Sequence, residues 1–192
     1  MTDFDEAAAF TLHGEEKQQT APLAGDPGGA TNWGVTLARL SEWRGYRCTP
    51  AEVYAMPYDE AEAIFRTGYW HALRCDDLPR GVDLMVADHS FNAGTGTSAK
   101  LLQRLVGVDA DGIIGPLTIR ATTEAALTGG LLAGLRDAQR ADYQTKADFP
   151  QFGAEWIGRP DAADEWRRLG RLGRRYAAAM RLAAMPSGLN GS

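Results

Sequence analysis

The 192-residue chain contains only two cysteines, three histidines and three lysines. Cys48 and Cys75 cannot build a disulfide framework and neither belongs to a CxxC pair, so both read as small buried hydrophobes. His13, His71 and His89 fall into no HExxH or comparable spacing, and nothing marks a zinc site. No metal and no cofactor is expected. Positive charge is short as well: 20 Lys+Arg against 25 Asp+Glu leave a net charge of -5, which argues against a dominant nucleic-acid footprint. No stretch approaches the ~20 consecutive apolar residues that a membrane-crossing helix needs. The opening residues, MTDFDEAAAF, are acidic where a secretory leader would be basic. A protein held in the host cytoplasm without a signal peptide is the expectation. Long runs of alternating β-branched residues are missing too, leaving room for a small hairpin in the 17–36 region and no larger sheet.

What is present is helical periodicity. At 20.7 kDa, with 44% hydrophobic and 23% charged residues, the chain can build one substantial core or a domain with an appended subdomain. From Asp3 to about Glu15, residues Phe4, Ala7, Ala8 and Thr11 recur at the spacing of a half-buried helix. Asp59 to Trp70 carries Ala61, Ile64, Phe65, Gly68 and Tyr69 on one stripe. Leu84 to Ala93 is apolar over most of its circumference, as a central helix would be. Ser98 is a candidate cap for a helix bearing Leu101, Leu102, Leu105 and Val106 and ending at Gly107. Pro116 fits the first turn of another helix, running to about Thr128. The fold class is therefore mainly α. The expected organisation is a core over residues 1–107 and a helical segment, 108–192, packed on the same domain as a monomer.

The C-terminal part carries its own charge pattern. From Pro160 onward six arginines face three acids, and Trp166, Leu169, Gly173, Tyr176 and Met180 recur at spacings of three and four. These spacings predict an amphipathic helix with a basic outer face. That face reads either as a solvated surface or as a contact for anionic envelope components through Arg167, Arg168, Arg171, Arg174 and Arg175.

Chemistry concentrates in Glu15-Glu16 and the following Gly25-Asp26-Pro27-Gly28-Gly29-Ala30-Thr31-Asn32-Trp33-Gly34. The DPGG turn can hold Asp26 and Thr31 in fixed positions beside the end of the first helix. Eleven residues separate Phe4 from Glu15, so Glu15 projects within about 20° of the apolar stripe, whereas Glu16 lies about 100° further round. A carboxyl on that face is partly desolvated, which raises its pKa and suits a general acid. The same position would also suit a carboxylate that merely accepts hydrogen bonds from the glycine turn. Asp88 and Asn92, four apart, share a helix face. They could line a sugar groove with Tyr69, Trp70 and Trp33, although Trp33 would equally fill a core. Asp88 would equally well be a buried carboxylate satisfied by a helix terminus or an arginine. Asp109 to Gly112 superficially matches a calcium loop, but Arg120 stands where the bidentate glutamate belongs, so a turn fits better.

A glutamate closing the first helix, followed by DPGGxTNxGxT, resembles the glycoside hydrolase family 108 N-acetylmuramidases, phage and bacterial lysozyme-like enzymes. The likeness continues through Tyr69-Trp70, Cys75 to Pro79, Asp88 with Asn92-Ala93-Gly94, Leu102-Gln103, Gly107-Val108, Asp111-Gly112 and Ile114 to Pro116 with Thr118. The last part is similar to the family's peptidoglycan-associated C-terminal segment. The resemblance implies a lysozyme-like helical fold and cleavage of the β-1,4 bond between N-acetylmuramic acid and N-acetylglucosamine in peptidoglycan. It implies Glu15, Asp26 and Thr31 as the catalytic set, in the setting of an endolysin. Where the family has Glu-Gly-Gly-aromatic, this chain has Glu15-Glu16-Lys17-Gln18, and Glu16 remains the alternative acid. A non-catalytic wall-binding or virion structural module and a lytic transglycosylase are the competing readings.

Overall fold

The computed structural model describes residues 3–12, 29–147, 150, 153, 157 and 165–185, with the side chains of 165–171 left out. Helix α1 (Asp3–Leu12) buries Phe4, Ala7, Ala8, Thr11 and Leu12, the stripe that the sequence periodicity predicts. Two short antiparallel strands follow, β1 (Thr31–Asn32) and β2 (Val35–Thr36), with Thr31 opposite Thr36 and Asn32 opposite Val35. This is the hairpin expected in the 17–36 window. Trp33 and Gly34 link the strands with φ of 53° and 77°, the left-handed pair that a two-residue hairpin turn demands. Glycine adopts that geometry freely. For Trp33 it costs on the order of 1–2 kcal/mol, offset by the contacts its ring makes.

Thr36 ends the hairpin and caps α2 (Leu37–Arg44), its hydroxyl accepting from the Arg39 amide. Helix α3 (Pro50–Tyr54) starts from a reciprocal Thr49–Glu52 capping box with Pro50 in its first turn. Helix α4 (Tyr58–Phe65) does not run on as a regular helix to Trp70; residues Arg66–His71 form a wider, π-helical turn. Gly68 lies in this turn, and its missing side chain leaves the space that the Arg39 guanidinium fills.

Helix α5 (Val82–Ala93) is the hub, buried at every position from Val82 to Ser90. It packs against α1, α6 (Thr95–Leu105), α8 (Leu131–Gln144) and the C-terminal helix (Glu165–Ala184). Helix α6 begins earlier than the sequence suggests. Gly94, at φ 87°, makes the tight connection, and Ser98 sits inside the helix donating its hydroxyl to the Val86 carbonyl at 2.8 Å. Helix α7 (Pro116–Thr128) starts and stops as predicted. Cys48 and Cys75 are buried free thiols.

The C-terminal helix corrects the sequence reading. Its buried stripe is Leu172, Arg175, Ala179 and Leu182, while Met180 is 47% exposed. The helix is therefore turned by about one residue from the predicted face, roughly 100°. Arg175, expected on the basic outer surface, is completely buried. The physical reason is a buried carboxylate on α5 that requires a cation.

Candidate functional site

The hairpin corner is built on Asn32. Asn32 is 1% exposed, and its side-chain amide lies 3.1, 3.2 and 3.3 Å from the carbonyls of Val53, Tyr54 and Met56. It thereby adds a side-chain donor at the carbonyls around the end of α3, where Val53 also accepts the Met56 amide. Trp33 adds a second tie, donating its indole N–H to the Met56 carbonyl at 3.2 Å and meeting the Tyr58 ring edge-on at 5.4 Å. Strand alternation places Thr31 on the opposite side from Asn32. Thr31 is half-buried, and its hydroxyl lies 3.4 Å from the Gly29 carbonyl. A mainly apolar cavity of about 490 Å³ opens beside Gly29 and Ala30, walled by Thr36, Leu37, Ser41 and Cys48.

The other groove candidates divide between surface and interior. Tyr69 is half-buried, 6.1 Å from Phe65 and 5.0 Å from Phe91 by ring centroids, with the Arg39 guanidinium 5.4 Å over its face. Burial pushes its phenol above the ordinary value, so it stays protonated. Asn92 is exposed at the end of α5, its amide donating to the Asp88 carbonyl at 3.0 Å. Trp70, by contrast, is core. It is 1% exposed, meets Phe4 edge-on at 5.5 Å and donates to the Asp76 carboxylate at 2.7 Å. It cannot stack on a sugar.

Asp88 also faces inward. One carboxylate oxygen takes Arg175 Nη1 at 2.6 Å and the other accepts from the Thr11 hydroxyl at 3.1 Å, all three side chains being 0% exposed. The arginine-satisfied carboxylate is thus the arrangement found, and Asp88 does not line a groove. Tyr143 closes the pair from α8, its hydroxyl 3.4 Å from Arg175 Nη1. Next along α5, His89 is fully buried with Nε2 3.3 Å from the Asp142 carboxylate, and burial holds its imidazole below the ordinary value. A neutral, enclosed histidine donates no proton to a substrate. Arg175 as an interior partner was missed by hydropathy, which sends every arginine outward. A lone arginine at helical spacing between Leu172 and Ala179 was the available signal.

Glu15, Glu16 and Asp26 lie outside the described residues. Leu12 of α1 stands three positions before Glu15 in the chain, and Gly29 three positions after Asp26. Among the described residues no group of His, Cys, Asp and Glu could hold a metal ion. The Asp109–Gly112 segment is a turn, in which Asp111 accepts from Gln103 Nε2 at 2.7 Å and from the Ile113 amide at 2.8 Å.

Helices packed around a buried central helix, with one small hairpin as the sheet, define a mainly α, lysozyme-like fold. The model of the family "Glycosyl hydrolase 108" matches residues 10–94, the stretch containing the glycine turn, the hairpin and α5. The solved structure of Brucella abortus SagA is 33% identical and superposes with a TM-score of 0.83 over 96% of this chain and 98% of that one. The chain belongs to the glycosyl hydrolase 108 family. It is accordingly a glycoside hydrolase, with peptidoglycan as its substrate class. No curated protein matches it.

Proposed function

We propose that the protein is an N-acetylmuramidase that hydrolyses the β-1,4 bond between N-acetylmuramic acid and N-acetylglucosamine, with Glu15 as general acid. The observation that carries this reading is the anchored hairpin. Asn32 and Trp33 tie the strand bearing Thr31 to the 53–58 segment, directly after the glycine turn that carries Asp26. A hydroxyl fixed at that point suits the orientation of an attacking water. Glu15 protonates the leaving oxygen, Asp26 stabilises the oxocarbenium-like centre or activates water, and Thr31 orients that water. Trp33, Tyr69 and Asn92, each at least partly exposed, are the residues left to contact the glycan.

The biological reading is an endolysin, active on the wall as a monomer after release from the host cytoplasm. Arg167, Arg168, Arg171 and Arg174 supply its contact with anionic envelope components, without Arg175. Digestion of purified peptidoglycan followed by reducing-end assay and mass spectrometry tests the activity. Muropeptides with reducing N-acetylmuramic acid support it. Anhydro-muramyl products would make it a lytic transglycosylase, and binding without release would make it a wall-binding module.

A further inference from the structure

The hairpin that bears Thr31 also forms one wall of a cavity. Thr31 stands opposite Thr36 in the ladder, and residues paired directly across two strands project from the same face. Thr36 lines the cavity of about 490 Å³ that begins at Gly29 and Ala30, so the cavity lies on the face to which Thr31 points. Its inner polar atoms are already engaged. The Ala30 carbonyl accepts from the Leu37 amide at 3.0 Å, and the Ser41 hydroxyl donates to the Leu37 carbonyl at 2.8 Å while accepting from the Cys48 amide at 3.0 Å. What these groups leave to a ligand is the apolar surface of Ala30, Leu37 and Ala38. At the exposed side, the Thr36 hydroxyl accepts from the Arg39 amide and keeps its own proton to donate. One full charge borders the cavity: Arg47 lines it, is itself exposed, and has no carboxylate partner among the described residues. No acidic residue is part of the described lining.

An apolar hollow of this size, with one hydroxyl and one free guanidinium at its mouth, suits a short peptide that has small apolar side chains and a free carboxylate. Peptidoglycan carries such a peptide on the lactyl ether of N-acetylmuramic acid, the same sugar ring whose anomeric carbon is attacked in hydrolysis. We propose that this cavity is the subsite for the stem peptide, with Arg47 binding a stem carboxylate and Leu37 and Ala38 packing on its alanine. The inference rests on the reading of Thr31 as part of the hydrolytic site. It makes the enzyme selective for glycan strands that still bear their stems.

Arg47→Gln and Ala38→Phe test this, both at exposed positions where folding is at little risk. The full chain is assayed on strands bearing stems and on the same strands stripped by an amidase, and the two kcat/KM values are taken as a ratio. Wild type should favour the stem-bearing strands. Arg47→Gln should lower the ratio roughly fivefold through KM, the worth of one charged contact at the solvent boundary. Ala38→Phe, which fills the hollow, should lower it as well, and Arg47→Lys should recover part of the loss. Amide shifts of Ala30, Ala38 and Cys48 are followed alongside, on addition of N-acetylmuramoyl-L-alanyl-D-glutamate. An unchanged ratio in Arg47→Gln, equal losses on both strands included, would overturn the stem subsite while leaving the hydrolytic activity standing. Shifts produced by decanoate and none by the muramyl peptide would overturn it too, in favour of a fatty-acid pocket. If wild type releases no products from either strand, the muramidase reading fails and the muramyl-peptide shifts alone decide: their presence upholds the stem subsite and their absence overturns it.

Discussion

Arg175 Nη1 lies 2.6 Å from a carboxylate oxygen of Asp88, and neither side chain has any exposure to solvent. Removing one member of such a pair strands the other charge in the interior. Arg175→Met is therefore expected to cost about 3–5 kcal/mol in urea unfolding, and the double variant with Asp88→Leu to recover part of that loss. Deleting residues 160–192 should have the same consequence. Lysis of intact cells and digestion of purified wall should fall together, because Asp88 and the surface beneath Leu172 and Leu182 are uncovered at once.

Asn32 supports the hairpin on three carbonyls of the 53–56 segment. Asn32→Ala removes a donor from the Tyr54 carbonyl, while the Met56 amide and the Trp33 indole still serve the Val53 and Met56 carbonyls, a loss of about 1–3 kcal/mol. Asn32→Asp should be worse than alanine, since a carboxylate offers no N–H and repels the same oxygens. Thermal unfolding ranks the two variants. A tie with wild type in either would show that the hairpin is held by other contacts.

Asp83, 2% exposed, accepts from the amides of Gly81 and Leu84 at 2.7 Å, yet burial pushes its carboxyl up to about 7. An unfolded aspartate releases its proton near ~3.9. Between these values the folded state holds the extra proton, so this group's contribution to stability falls as pH rises from about 4 to about 7. Asp83→Asn keeps an acceptor for both amides and carries no charge. Its unfolding free energy should equal that of wild type near the lower end and exceed it by a few kcal/mol near neutrality. Parallel curves across that range would contradict the assignment.

Burial drives the Cys75 thiol well above the ordinary value, whereas Cys48, though buried, walls the cavity that opens beside Gly29. The Cys75 thiolate is therefore not available to a disulfide reagent in the native protein. Ellman's reagent should react slowly with Cys75 in the folded chain and promptly after denaturation. Rapid reaction of Cys75 without unfolding would show an open route to its site.

Local patterns in the chain reveal those elements whose neighbours do not alter their own preferences. The stripe of Phe4, Ala7, Ala8 and Thr11, the proline start of α7 and the hairpin turn through Gly34 are all of this kind. Pairwise tertiary chemistry is not legible in the same way. Arg175 faces inward only because Asp88 sits on another helix, 87 positions away. Trp70 is interior because Phe4 and Asp76 receive it, although an adjacent tyrosine–tryptophan pair also suits a sugar groove. The π-helical turn at Arg66–His71 likewise accompanies the packing of Arg39 against Gly68, which periodicity does not register.

The central claim concerns a single proton donor, and the direct measurement is the rate of reducing-end release from purified peptidoglycan by Glu15→Gln, with Glu16→Gln beside it. The account predicts that Glu15→Gln abolishes release while its helical circular dichroism stays that of wild type, and that Glu16→Gln remains active. Full activity in Glu15→Gln, with the loss falling on Glu16→Gln instead, would contradict it.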